Sequence, residues 1–165
     1  MIRIEQITTG NVAVFKEVRL RALKEAPYAF GSKYAREAGF EDAEWARRAE
    51  RWRGESGIGF LAMAEGVACG IAGSFLVAED LTRAQLISMW TAPTHRRRGV
   101  GQMLVKEVMK WAKGREAQVM ELMVTSQNEG AIRFYERLGF VGTGRVEPYP
   151  NDPTAVEYEM ARVIG

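Results

Sequence analysis

The chemistry in this sequence concentrates in Trp90-Thr91-Ala92-Pro93-Thr94-His95-Arg96-Arg97-Arg98-Gly99-Val100-Gly101-Gln102. An apolar run halts at a proline, a basic loop follows, and Gly99 and Gly101 open an amphipathic pattern. The first N–H groups of a helix lack intrahelical acceptors, and the helix dipole places partial positive charge beside them. Anionic oxygens, phosphates above all, are stabilised at such a terminus. Glycine at 99 and 101 removes the Cβ that would hold an anion off the backbone. The dipole alone is worth only ~0.3–2 kcal/mol, so Arg96, Arg97 and Arg98 would supply substantial further attraction for a polyphosphate. Two common phosphate loops do not fit. No Lys-Ser/Thr follows the glycines as in a Walker A loop, and the third glycine of the dinucleotide fingerprint is missing.

A second stretch, Asn128-Glu129-Gly130-Ala131-Ile132-Arg133-Phe134-Tyr135-Glu136-Arg137-Leu138-Gly139-Phe140, reads as a short helix and its exit. Asn128 suits the N-cap. Tyr135 shares an apolar face with Ala131 and Leu138, where tyrosines pack. Other chemistries are excluded by scarcity. Cys69 is the only cysteine and His95 the only histidine, so there is no internal disulfide and no His-based zinc site. No Gly-x-Ser-x-Gly elbow is present. Cys69, inside an apolar run, reads as a core thiol, and His95 as a surface loop residue.

Together the two stretches resemble the GCN5-related N-acetyltransferase (GNAT) superfamily. Arg96-x-x-Gly99-x-Gly101 is similar to its Gln/Arg-x-x-Gly-x-Gly/Ala motif, and Asn128 to Phe140 to its Asn-x-x-Ala-x-x-x-Tyr-x-x-x-Gly-Phe segment. The resemblance covers residues 58–164; residues 1–57 match in general layout. It implies acetyl-CoA as co-substrate, an amine as acceptor and no metal. Met89, Trp90 and Thr91 would then pair through their backbone with the pantetheine arm. The amides of Arg97, Arg98, Gly99, Val100, Gly101 and Gln102, beside Arg96, would hold the pyrophosphate, so a bulky side chain at 101 is expected to block it. Asn128 would hydrogen-bond the pantetheine or the neighbouring chain, and Tyr135 would sit near the thioester sulfur. The implied reaction is direct attack of a neutral amine on the thioester carbonyl. It uses a backbone N–H near Met89 or Trp90 for the oxyanion and Tyr135 as acid for the leaving thiolate.

Many members of the superfamily carry a glutamate base on the strand before one of these motifs. Here Gln85 to Thr91 holds no carboxylate, and Met123 stands where some relatives have one. Glu121 shares the strand face of Met123 and reads as a solvent-facing charge. The base is thus unassigned. A lysine-type amine of pKa ~10.4 is only about one-thousandth neutral near pH 7.4. The expected preference is therefore for low-pKa amines, unless Glu121 acts through a water.

The elements that must position these residues follow from hydrophobic period. Strands are expected over residues 2–7, Ile58–Ala64, Val67–Ala78, Ala84–Ala92, Gln118–Thr125, Phe140–Val146 and Ala155–Val163. Helices are expected from Asn11 to Ala26, over Asp42–Arg53, from Gly99 to Gly114 and over Asn128–Leu138. Tyr28 to Phe40 reads as a loop or broken helix, and Pro148, Pro150 and Pro153 mark a loop. Trp45, Trp52, Phe30 and Phe75 read as core, or as the lining of an acceptor pocket. The fold class is α/β (α+β): one GNAT domain over residues 1–165, a mixed sheet of about six or seven strands covered by helices on both faces.

Composition sets outer bounds. The 165 residues are 47% hydrophobic and 27% charged, which excludes a disordered, collagenous or coiled-coil chain. No apolar run reaches the ~20 residues of a membrane span, and charges occupy the start where a signal peptide would be apolar. A cytoplasmic location without membrane partners is expected. The net charge of +2 is too mild to mark a nucleic-acid binder, and Arg96–Arg98 lack a second basic cluster. A homodimer is compatible with the sequence. The rival reading is a non-catalytic acyl-CoA-binding module of the same fold.

Overall fold

Alternation of Ile2 and Ile4 with Arg3 and Glu5 forms β1 (Ile2–Gln6) in the computed structural model, which describes every residue from Met1 to Gly165. A 3-10 turn at Thr9–Asn11 leads into α1 (Val12–Glu25), which buries Phe15, Val18, Ala22 and Leu23. Pro27 ends that helix, because a residue before proline is pushed out of helical geometry; Ala26 accordingly adopts φ −132° and ψ 65°. The stretch from Tyr28 to Phe40 is a broken helix: a 3-10 turn at Pro27–Ala29, then α2 (Tyr34–Ala38). In α3 (Asp42–Arg51) the acids Asp42 and Glu44 sit in the first turn and Arg48 and Arg51 in the last, the arrangement the dipole favours.

β2 (Gly57–Ala64), β3 (Val67–Val77) and β4 (Asp80–Thr91) form an antiparallel meander. Helix α4 (Val100–Gly114) crosses over to β5 (Val119–Thr125), which pairs with β4 in parallel. Then come α5 (Glu129–Arg137), β6 (Val141–Tyr149) and β7 (Asp152–Val163). The sheet has seven strands in the order β1-β2-β3-β4-β5-β7-β6. One expectation needs correcting. The proline cluster is a tight hairpin, with only Pro150 and Asn151 between the strands. Pro148 lies on the edge strand β6, and Pro153 precedes the part of β7 that pairs with β5, so neither deletes an interior ladder bond.

Helices cover both faces. Gly59 and Gly73 are paired across β2 and β3, and a Cβ on Gly59 would fall 1.9 Å from the Trp52 ring. Trp52 in turn packs on Phe15 of α1, ring centroids 5.3 Å apart. On the opposite face Gly70 abuts Leu104 and Val100 of α4. Helix α5 joins α4 there, since a Cβ on Gly101 would lie 2.9 Å from Phe134 Cζ. Trp90 and Tyr135 belong to the same buried cluster as these helices. No helix is long and apolar enough to cross a membrane.

Candidate active site

β4 and β5 pair at only three positions, Arg83↔Val119, Ala84↔Met120 and Gln85↔Glu121, and then part. The bend has a local cause. Gly73 pairs with Ile87 but Ile71 with Trp90, which leaves one extra residue on β4, and Ser88 adopts φ 56°. A bulge of this kind kinks a strand and sharpens its twist. Consecutive residues of both strands, Leu86 to Met89 and Leu122 to Thr125, line the gap. Since neighbours on a strand point to opposite faces, the gap is a slot through the sheet. Asn128, Ala131 and Tyr135 line it on the α4/α5 side, and Tyr28, Ala29, Tyr149 and Glu157 on the other.

The bulge is braced from behind. Arg19 Nη1 donates to Ser88 Oγ at 3.0 Å, while Nε and Nη2 of Arg19 both reach the buried Glu37 carboxylate at 3.0 Å. Burial pushes the Glu37 carboxyl up, but hydrogen bonding and charge from Arg19, with help from Ser32 and Arg48, hold it below the ordinary glutamate value.

The glycine loop leaves the end of β4 through a 3-10 turn at Pro93–His95. Arg97 (φ 64°) and Gly99 (φ 79°) are left-handed, while Arg98 and Val100 are not. Alternation of this kind turns successive N–H groups toward one side. No N–H from Arg97 through Gln102 donates to a carbonyl; the first α4 bond is Met103 N–H to Gly99 O at 3.0 Å. These amides and the dipole of a fifteen-residue helix form an anion site. Arg97 and Arg98 are exposed and unpaired beside it. Arg96 is differently used: its Nε donates to Thr91 O at 3.0 Å and its Nη2 meets Glu25, so it braces the loop. Gly101 also has an unexpected constraint. A side chain there would strike Phe134 and Met89 Cε, at 2.9 and 3.1 Å, before it met any ligand. Bulk at 101 therefore tests packing of α4 on α5, whereas Gly99 faces open space.

Met89 lines the slot with its side chain. Trp90 points into the core, its Nε1 donating to Glu25 at 2.9 Å, and neither Trp90 nor Thr91 lines the gap. Asn128 caps α5, its Oδ1 accepting from Ala131 N–H at 3.2 Å, and its amide nitrogen keeps no protein partner while it lines the slot. Tyr135 is buried on the slot wall. Burial alone pushes its hydroxyl well above the ordinary phenol range, with no hydrogen bond to offset it. His95 is a loop residue bonded to Thr94, and the Cys69 thiol is buried and pushed up by its burial. Trp45, Trp52 and Phe30 are packed inside or against the core, and Phe75 lies exposed on β3; none lines the slot.

Glu121 departs from its expected exposure. It is buried, it forms an ion pair with Arg83 at the foot of the slot, and it does not line the cavity. The carboxylate that does is Glu157 of β7, opposite Thr125 of β5. Nothing in the sequence singles it out, because no motif marks it within the Ala155–Val163 strand. Its signal was a third-layer one: β7 lies against β5, so the face opposite Val156 meets the slot.

Comparison with known proteins places the chain among related sequences. The family model described as the acetyltransferase (GNAT) family matches residues 20–140. An uncharacterized N-acetyltransferase of Methanocaldococcus jannaschii is 40% identical over 57 residues, 34% of this chain and 25% of that protein. The peptidyl-lysine N-acetyltransferase YjaB of Salmonella typhimurium is 36% identical over 76 residues, 42% of this chain and 49% of its own length. The chain thus spans a quarter to a half of these curated relatives. The solved structure of yncA from Salmonella typhimurium, an acetyltransferase with acetyl-CoA bound, superposes with a TM-score of 0.82 at 18% identity, covering 100% of this chain and 95% of that one. The match extends over most of the chain and includes both motif stretches up to Phe140, so this protein belongs to the acetyltransferase (GNAT) family.

Proposed function

We propose that the chain is an acetyl-CoA-dependent N-acetyltransferase that acetylates a primary amine of a small molecule or peptide by direct attack within a ternary complex. The observation that carries this reading is the slot between β4 and β5, with a free-amide anion site at one end and an unpartnered tyrosine hydroxyl on its wall. Acetyl-CoA supplies an activated acyl carbonyl and a thiolate leaving group. The amides from Arg97 to Gln102 hold the pyrophosphate. The β4 segment Met89 to Thr91, released from β5, pairs with the pantetheine and directs a backbone N–H at the carbonyl oxygen, where negative charge develops. Asn128 fixes the arm with the amide nitrogen left over from capping. Tyr135 protonates the departing sulfur.

The test is a screen of primary amines for thiol release from acetyl-CoA, run beside a calorimetric titration with acetyl-CoA. Amine-dependent release supports the reading. Tight binding without release from any amine would replace it with a non-catalytic acyl-CoA-binding module.

The anion site carries its own prediction. Arg97 and Arg98 make no ion pairs in the protein, so replacing both by alanine should leave thermal stability unchanged. Charge-assisted contacts are worth ~1.5–3 kcal/mol each, less when exposed, so acetyl-CoA affinity should fall by at least about tenfold, or ~1.4 kcal/mol. The salt dependence of binding should flatten as well. Unchanged calorimetric affinity would move the pyrophosphate away from this loop.

A further inference from the structure

We propose that Glu157 is the general base and ammonium receptor of the acceptor side, and that the preferred acceptor is an amine still protonated at neutral pH. This deepens the acetyltransferase reading and rests on it. It also reverses the expectation, drawn from the sequence alone, of a preference for weakly basic amines.

The geometry is specific. Glu157 is a carboxylate on the slot wall, half-buried, without an ion-pair or hydrogen-bond partner. It shares its face of the sheet with Thr125 and Tyr149, opposite the face that carries Tyr135. A proton acceptor and a proton donor thus line one slot from its two sides. Neighbouring carboxylates are engaged elsewhere: Glu121 by Arg83, Glu159 and Glu147 by Arg145. The charged and titratable groups around Glu157 are Glu147 and Tyr149 of β6, Glu159 on its own strand, Arg145 of β6 paired to both Glu147 and Glu159, Tyr28 of the Pro27–Ala29 turn, and Tyr135 across the slot. No cation neutralises it directly. Burial, and then repulsion from Glu147, push the Glu157 carboxyl above the ordinary glutamate value. That makes it a better proton acceptor than a free glutamate.

The step balances. A protonated amine docks on the Glu157 carboxylate and gives up one proton, leaving the nitrogen lone pair free and Glu157 neutral. Nitrogen attacks the thioester carbon, forming the C–N bond and an oxyanion. Collapse breaks the C–S bond as Tyr135 delivers its proton to sulfur, and the second proton lost from nitrogen restores the tyrosine. Glu157 releases its proton to solvent. Amide, free thiol and one solvent proton are the products.

The test compares wild type with Glu157→Gln on a capped lysine with a free side chain (pKa ~10.4) and a lysine-free dipeptide amide with a free α-amino group (pKa ~7.7–8.0). Wild type should turn over the lysine acceptor with kcat/KM level across neutral pH. In Glu157→Gln the value at pH 7 should fall about a hundredfold or more, and should then rise with slope one as the amine itself deprotonates. The dipeptide should lose far less. Acetyl-CoA affinity should be unchanged, which separates a lost base from a damaged fold, and the capped lysine should bind the CoA-loaded variant more weakly by calorimetry. In Glu147→Gln the acidic limb of the wild-type profile should move to lower pH.

Wild-type turnover of the lysine acceptor with an unaltered profile in Glu157→Gln would overturn the assignment and leave the acetyltransferase reading intact. So would turnover of the dipeptide alone, or an acidic limb unmoved in Glu147→Gln. Acetyl-CoA binding without turnover of any amine would overturn both.

Discussion

Tyr135→Phe should lower kcat by roughly 10²–10⁴-fold, the usual contribution of a positioned general acid, while acetyl-CoA affinity stays the same. The substitution is clean because the hydroxyl has no protein partner to strand, and the ring contacts with Phe134 and Phe140 persist in phenylalanine. Burial holds the Tyr135 proton in place well beyond neutral pH. A phenol so reluctant to ionise looks like a poor donor, but in the proposed reaction the thiolate would leave in the same buried slot. Its proton affinity rises for the same reason, as the raised Cys69 thiol illustrates elsewhere in the core. The mismatch therefore stays close to that between a tyrosine of pKa ~10 and a thiol of ~8.5, about 2 kcal/mol, which a committed C–S cleavage overcomes. The measurement is single-turnover kinetics with kcat and KM resolved. A loss below about threefold, with chemistry rate-limiting, would return Tyr135 to a packing role.

Arg19→Ala should be strongly destabilising although it removes no side chain of the hydrophobic core. Removing one partner of a buried ion pair costs ~3–5 kcal/mol, because the other charge is left desolvated. Glu37 is fully buried, and Arg48, 3.7 Å away, would be the only cation left to face it. For a chain of this length the melting temperature should drop by ~6–20 °C. The effect is pH-dependent with a definite sign. In wild type the Glu37 carboxyl is held below its unfolded value, so its contribution is present above that value and fades as pH falls through the folded pKa. Without Arg19, burial dominates and raises the carboxyl, so the variant gains stability on acidification. The gap between the two proteins should thus narrow from pH 7 to pH 4 in denaturant titrations, and a constant gap would show that Glu37 is not its source. Loss of Arg19 also frees the Ser88 bulge, so kcat/KM should fall further than the folded fraction does.

What could be read before the structure divides along a physical line. The glycine loop, the α5 cap and the order of strands and helices are local: Pro93 stops β4 because of its own ring, and Asn128 caps through its own side chain. The family match includes those same stretches, and the seven-stranded mixed sheet agrees with it. Pairings between distant segments were not legible. Glu121 looked exposed because nothing nearby in sequence announces Arg83, thirty-eight residues upstream. Glu157 is not marked by any motif, because its surroundings depend on β7 inserting between β5 and β6. The prolines at 148, 150 and 153 suggested a loop for a similar reason: whether proline breaks a strand depends on which edge lacks a neighbour, and sheet order decides that.

The residues flanking the acceptor side of the slot come from two ends of the chain but form one piece. The Tyr149 hydroxyl lies 3.0 and 2.6 Å from the carbonyls of Pro27 and Phe30, and Asn151 Nδ2 donates to Phe30 O and Ser32 O at 3.1 and 3.2 Å. Thr125 Oγ1 donates to Tyr28 O. Each of these bonds joins a side chain on the β5–β7 side to a backbone carbonyl near Tyr28, so they leave the side chains of Tyr28 and Ala29 at the slot free to vary while Tyr149, Asn151 and Thr125 are not. Divergence in substrate choice can therefore proceed by point substitution within the first segment. Transplanting the β6–β7 hairpin from a relative would orphan several carbonyls at once, each costing ~1–3 kcal/mol. A chimera built to change the acceptor would have to carry both segments together.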